Sequence, residues 1–359
     1  MAQGDSVSGD LIVLRREGLY CPSGDFYIDP WRPVQRAVIT HAHADHARVG
    51  HTSYLAATPG ATVLKARLGD IALETLDYGV PLMIGDVRVT LFPAGHVLGS
   101  AQVRLERDGS TWVASGDYKT AGMNGAAVDR DATCAPFEPV GCDVFITEST
   151  FGLPIYRWQP QSLLIEQINT WWSTNADAGR ASVLFCYAFG KAQRLLAALD
   201  AGIGPIVCHG AVQTLNAAYR ASRVALPDTH LVSDMAAKQL SRALVVAPPS
   251  AAQSTWLKRF GDYSDAFASG WMQLRGARRR RAVDRGFVVS DHADWPGLRS
   301  AIAATGASRV IVTHGQVATL VRALRDDGID AQAFQTEYGD EEDDSEQVPS
   351  AEASELPTA

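Results

Sequence analysis

Ile39-Thr40-His41-Ala42-His43-Ala44-Asp45-His46 follows the apolar, β-branched run Ala37-Val38-Ile39. It therefore reads as a loop leaving the end of a buried strand. Four residues able to bind a divalent cation stand within six positions, and the spacers between them are alanines. Imidazole suits Zn and Mn, and an aspartate adds a harder oxygen donor, so the group fits a mixed nitrogen and oxygen metal site. Small alanines let the chain turn tightly and bring the donors to one point. A tag-like histidine tract would lie at a terminus without a preceding strand.

Three further loops offer donors. Ala94-Gly95-His96-Val97 sets a histidine after the run ending at Phe92-Pro93, Ser115-Gly116-Asp117 follows an apolar run, and so does Thr313-His314-Gly315. All three donors fall at predicted strand ends, where open α/β sheets build their sites. Taken singly, each could equally be a capping aspartate or a core histidine. Together, His41, His43, Asp45, His46, His96, Asp117 and His314 suffice for two metal ions. His51, His209 and His230 fit no such pattern and read as structural or surface residues.

Outward from these loops, residues 11–14, 26–28, 37–40, 87–92, 111–114 and 144–147 read as strands, and 61–77 as a helix. From Pro160 the texture changes to alternating helices (163–172, 191–201, 212–221, 234–243) and buried strands (181–186, 206–208, 244–247), the pattern of a parallel α/β unit. A strand at 286–290, a helix at 295–305, a strand at 309–313 and a helix at 317–327 follow. Because the donor-bearing loops lie before residue 150 and after 290, the middle segment reads as an insertion in a discontinuous first domain.

The 359 residues are 46% hydrophobic and 20% charged, an ordinary globular composition. No apolar run reaches the ~20 residues that span a bilayer, so no membrane partner is expected. The start of the chain has neither a basic nor an apolar leader segment, and five scattered cysteines form no C-x-x-C pair. Both point to a cytoplasmic protein with reduced thiols. The net charge of −8 is misleading, since nine acidic and no basic residues follow Thr336. Residues 336–359 lack apolar periodicity and read as a disordered acidic tail.

The donors, with Asp29 after a strand, resemble those of the metallo-β-lactamase superfamily. That resemblance implies an αββα sandwich, with His41, His43 and His96 on one cation, Asp45, His46 and His314 on the other, and Asp117 bridging. Asp29 would orient the histidine loop. Ile146-Thr147-Glu148-Ser149-Thr150 resembles motif A of the β-CASP nucleases and Ser290-Asp291-His292-Ala293 their motif B, with His314 at motif C. Tyr187-Ala188-Phe189-Gly190-Lys191 is similar to a strand-to-helix turn of their insertion. The implied architecture is a metallo-β-lactamase domain at 10–155 and 286–335 around an α/β β-CASP insertion at 156–285.

Gly18-Leu19-Tyr20-Cys21-Pro22, Asp25 to Pro33, and Ser269-Gly270-Trp271-Met272 with its following arginines resemble the bacterial ligase-associated DNA damage response exonucleases. That family works with an ATP-dependent DNA ligase and a helicase. The resemblance implies a two-metal (Zn or Mn) DNA exonuclease that leaves 5′-phosphate and 3′-hydroxyl ends. Asp45, Glu148 and His292 would act with the metals, Asp29 supporting them. Histidine at motif C is also the pattern of RNA-processing members, so an mRNA 3′-end-processing-like or RNase J-like nuclease is the alternative. A non-catalytic scaffold would be expected to lack ligands, and a small-molecule hydrolase would leave motifs A and B unexplained. Arg275, Arg278, Arg279, Arg280 and Arg281 concentrate charge suited to phosphates. Lys191, opening a helix after Gly190, offers another phosphate contact.

Overall fold

The computed structural model describes residues 9–120 and 131–338. The chain divides into two compact units; within the described residues, the first comprises 9–120, 134–157 and 292–338, and the second 131–133 and 158–291. The return to the first unit thus falls at His292 rather than at residue 286.

The first unit begins with a six-stranded sheet in chain order: β1 (Val13–Arg15), β2 (Gly18–Cys21), β3 (Phe26–Ile28), β4 (Arg36–Ile39), β5 (Ser53–Ala57) and β6 (Leu73–Leu76). β1 to β3 pair antiparallel, and β3 to β6 run parallel. Helix α1 (Ala61–Leu68) ends at Gly69, whose φ of 75° is left-handed. The helix expected through residue 77 stops there because Leu73–Leu76 is taken up as β6 by pairing with β5.

A second sheet follows from β7 (Pro81–Ile84), β8 (Val87–Pro93), β9 (Ala101–Arg107), β10 (Ser110–Ala114) and β11 (Val144–Ser149). After the second unit it is completed by two further strands, one beside β11 and one beyond it. Along β10 and β11 alternate residues face opposite ways, as the pleat requires. Trp112, Ala114, Val144 and Ile146 join Val38, Leu55 and Ile28 of the first sheet in one core. Val113 and Phe145 face a second core on the other side.

The second unit holds a five-stranded, wholly parallel sheet: β12 (Ala181–Phe185), β13 (Ile206–Cys208), β14 (Leu244–Ala247), β15 (Tyr263–Ala268) and β16 (Arg285–Phe287), in spatial order β13-β14-β12-β15-β16. β16 pairs with β15, which is why residues 286–291 stay in this unit. Its helices are α2 (Gln161–Asp177), α3 (Lys191–Ala198), α4 (Gly210–Ala221), α5 (Ala237–Leu240) and α6 (Arg275–Arg281). The helix expected at 234–243 shrinks to α5, as the chain turns through Arg242 and Ala243 into β14. Strands buried on both faces read as continuous apolar runs, and β12, β13 and β14 are buried throughout.

Back in the first unit, α7 (Trp295–Thr305), β17 (Arg309–Gly315), α8 (Val317–Asp326) and β18 (Asp330–Ala333) complete the second sheet, with β17 between β11 and β18. Leu298, Ile302, Leu320 and Leu324 of the two helices cover the second core. The first unit is therefore two facing sheets with α7 and α8 packed on the outer face of the second. Thr336 and Tyr338 belong to this unit, where Thr336 bonds the carbonyl of Thr313. Residues 336–338, expected in a disordered tail, are therefore part of this unit, and residues 339–359 of that expected tail lie outside the described residues.

Candidate metal centre

Strand direction explains why the donors meet. β8, β10, β11 and β17 run the same way in the second sheet, as do β3 and β4 in the first. The loops after them therefore leave from matching edges, the carboxyl ends where α/β sheets hold their sites. His41, His43, Asp45 and His46 follow β4, His96 follows β8, Asp117 follows β10, and Glu148 and His314 lie near the ends of β11 and β17. The pairing of β11 with β17 slips between Thr147 and Ser149, so that Thr313 and His314 together oppose Glu148. Such a bulge re-aims side chains at a sheet end.

Two buried groups result, sharing Asp117: His41, His43 and His96 with Asp117, and His46 and His314 with Asp117. His43 Nδ1 lies 3.1 Å from His41 Nε2 and 3.0 Å from His96 Nε2. Asp117 Oδ2 is 3.5 Å from His41 Nε2 and 3.4 Å from His46 Nε2, and its Oδ1 is 3.1 Å from His314 Nε2. Asp45 Oδ2 is 3.4 Å from His46 Nε2, at the rim of the second group.

His41, His46 and His314 are oriented from behind. The Asp29 carboxylate accepts the Thr40 N–H at 2.7 Å, the Thr40 hydroxyl at 2.5 Å and His46 Nδ1–H at 2.8 Å. Since that hydroxyl donates to Asp29, it accepts from His41 Nδ1, 3.0 Å away, which leaves His41 Nε2 unprotonated. The Thr313 hydroxyl donates to the Thr147 carbonyl and accepts from His314 Nδ1 at 2.9 Å. These are the outer contacts that set the tautomer of a ligating histidine. Asp29 holds a φ of 42°, unusual for a non-glycine residue, to make its three bonds.

Electrostatics agree with the geometry. Burial, reinforced by the charge of His46, pushes His41 well below the usual histidine range, into the neutral form a cation needs. Burial also works against a charged His46, but Asp117 and Asp45 outweigh it and raise His46 well above that range. Burial alone would raise Asp117; the facing His46 charge and the His314 hydrogen bond hold it well below the carboxylate range instead. His46 Nε2 is buried with no hydrogen-bond partner. A polar atom so placed costs free energy unless something satisfies it. The donor set and this orphaned nitrogen fit divalent cations, and the carboxylates that favour a charged His46 would equally favour a metal.

Beside the cluster stands a carboxylate–histidine pair. His292 Nδ1 lies 2.9 Å and 3.0 Å from the two oxygens of Glu148, which also accept the Tyr118 N–H and the Thr150 hydroxyl. The His292 ring sits 4.5 Å from that of His96, centroid to centroid. Gly116 precedes Asp117 with φ of 56°, and a Cβ there would come within 2.6 Å of the Thr40 hydroxyl. Only glycine allows that approach.

Not every expected residue joins this site. Lys191, expected at a phosphate, is wholly buried in the second unit, its ammonium 3.1 Å from Asp291 and 4.6 Å from the Tyr187 ring. The cation expected to face solvent is thus consumed by a partner one hundred residues on. Arg275, Arg279 and Arg280 are exposed on α6, and Arg281 lies over the Phe267 ring at 4.5 Å. The side chain of Arg278 lies outside the described residues. Trp256 and Trp271 pack on the core of the second unit. Tyr338, which sequence reasoning assigned to the tail, stacks on His46 with ring centroids 4.5 Å apart and planes at 11°. One aromatic residue at the edge of an acidic run was the available signal.

Over 321 residues the chain is 32% identical to a probable DNA ligase of Opitutus terrae, covering 88% of this chain and 30% of that protein. It is 34% identical over 130 residues to the endoribonuclease YSH1 of Saccharomyces cerevisiae, covering 36% of this chain and 15% of that one. With the YSH1 of Gibberella zeae it shares 32% over 160 residues, 44% of this chain and 18% of the relative. The chain therefore spans less than a third of the length of these curated relatives. No family model matches it. A protein of unknown function from Enterococcus faecalis superposes with a TM-score of 0.57 at 10% identity, over 85% of this chain and 80% of that one. At that identity the likeness is one of fold: a mixed α/β fold with several sheets is shared with a solved structure.

Proposed function

We propose that this chain is a metal-dependent DNA exonuclease of the metallo-β-lactamase/β-CASP class, the first unit being the metallo-β-lactamase domain and the second the β-CASP insertion. One observation carries the reading: two ligand groups sharing Asp117 stand beside the Glu148–His292 pair in one buried cluster. His41, His43 and His96 would hold one divalent cation, and His46, His314 and Asp45 a second, with Asp117 common to both. Zn or Mn bound there would supply Lewis acidity and a water acidic enough to serve as nucleophile.

The chain's own residues do the rest. Asp29, Thr40 and Thr313 hold the imidazoles in the ligating tautomer. Glu148 takes the Nδ1 proton of His292 in a hydrogen bond, which directs Nε2 toward a phosphoryl oxygen or the departing 3′-oxygen. Glu148 also stabilises the charge His292 carries when it donates a proton, the logic of general acid catalysis. Cleavage between phosphorus and the 3′-oxygen leaves 5′-phosphate and 3′-hydroxyl ends. The α6 arginines would track phosphates, so binding should weaken steeply with salt.

Similarity to a protein named as a DNA ligase, along most of this chain, supports work on DNA with an ATP-dependent ligase, and a helicase would belong to the same repair setting. That setting is cytoplasmic; no helix among the described residues is long and apolar enough to cross a membrane. A second reading, an RNA-processing nuclease, is favoured by His314 and by the relatives named endoribonucleases. Digestion of matched 5′- and 3′-labelled DNA and RNA with Zn or Mn tests both. Metal-dependent shortening of DNA is expected; a clear preference for RNA would replace the first reading with the second.

A further inference from the structure

We infer that Tyr338 is a positioning residue for the second of the two cation sites, through a C-terminal strap that folds back onto His46 and His314. The inference rests on the two-cation reading above. The strap is anchored stepwise along β17: the Phe334 N–H bonds the Val312 carbonyl at 3.0 Å, and the Thr336 hydroxyl bonds the Thr313 carbonyl at 2.8 Å. Glu337 then pairs with Arg32 at 2.7 Å. Tyr338 closes it, lying flat on His46 and edge-on to His314, whose ring centroid is 5.3 Å away. Trp31 backs the tyrosine edge-on at 5.5 Å.

The consequence follows from how His46 is held. Its single outer hydrogen bond, Nδ1 to Asp29, fixes one end of the ring but leaves it able to pivot about that bond. A flat aromatic face at stacking distance removes the pivot. It therefore aims Nε2 at the Asp117 and Asp45 oxygens, each 3.4 Å away. His41, His43 and His96 have no ring contact with Tyr338 among those described, so their cation should not sense it. Among the described residues the tyrosine hydroxyl reaches only the Ile28 carbonyl at 3.5 Å, a weak contact, so the ring rather than the hydroxyl acts.

The test uses the full-length protein stripped of metal, with Mn or Zn titrated by calorimetry and bound metal counted by elemental analysis. Wild type should take up two cations. Tyr338→Ala should leave one cation at wild-type affinity and bind the other about tenfold or more weakly, as loss of an outer-shell partner does. Tyr338→Leu, which refills the volume without a flat face, should resemble the alanine variant, and Tyr338→Phe should stay within about twofold of wild type. Wild-type affinity for both cations in Tyr338→Ala would overturn the inference. So would equal loss at both sites, or a phenylalanine variant as weak as the alanine one. A wild-type chain binding fewer than two cations would instead overturn the two-cation reading itself, and the inference with it.

Discussion

The two units bury polar groups in opposite ways. In the second, buried polar side chains face one another: Lys191 and Asp291, and Arg194 and Asp131, as ion pairs, and Arg194 with Gln161, Gln193 with Asn216 and Asn175 with Ser182 through hydrogen bonds. In the first, His41, His46, His314 and His292 each spend one nitrogen on a hydroxyl or carboxylate and turn the other inward. In these pairs opposite charges or matched donors and acceptors meet, and they hold a fold. The open set leaves His46 Nε2 buried without a hydrogen bond, a condition that a cation relieves. Burial of charge is common to both regions; what marks a site is the direction in which the unsatisfied atoms point.

That contrast can be broken from either side. The largest effect belongs to Asp117, the one residue common to both ligand groups. Asp117→Ala should abolish stoichiometric metal binding and lower nuclease activity by about 10³-fold or more, since both Lewis acid and nucleophile depend on the ions. Elemental analysis and a labelled-DNA assay read the two losses; activity retained at wild-type level would remove Asp117 from the site. His292→Ala should come next, with activity down about 10²–10⁴-fold but metal content intact. Metal lost along with activity would make His292 a ligand and not a proton donor. In the second unit, Lys191→Met removes the cation that faces buried Asp291, which should cost about 3–5 kcal/mol of stability. The double variant Lys191→Met/Asp291→Asn should recover much of it. Denaturant unfolding measures both, and a neutral Lys191→Met would mean that the pair is not closed as described.

The gathering of the histidines and aspartates was legible because each stands at or just after the end of an apolar run, and strand ends announce themselves locally. The same holds for β13, β14 and α7, whose bounds match their sequence patterns. What escaped depended on partners that the local pattern does not name, some near in the chain and some far. Residues 73–76 carry helical spacing yet become β6, because β5 offers a parallel edge. β9 alternates apolar with polar and charged residues over Ala101–Arg107 and went unread beside the glycine-rich loop before it. Lys191 follows a glycine at a helix start, a good phosphate signature, but Asp291 reaches it first. Tyr338 is one aromatic among acids until the fold brings it to His46. Local chemistry could be read; pairing across a hundred residues could not.

The smallest expected effect tests whether a buried histidine outside the cluster stays neutral in the native state. His51 Nδ1 accepts the Val34 N–H at 3.3 Å, and burial, aided by the charge of Arg48, lowers the ring to about 4. The sign follows from linkage. Below about 6.5 the unfolded chain takes up a proton there that the native ring refuses until about pH 4. Stability should therefore fall as the pH drops from about 6.5 to about 4. His51→Asn keeps an acceptor for the Val34 N–H and removes the titration, so its stability should change less with pH across that window. Denaturant midpoints at pH 7, 6 and 5 give the slope for each protein. Parallel slopes would show that His51 is protonated in the native state too, so that burial does not hold its ring neutral.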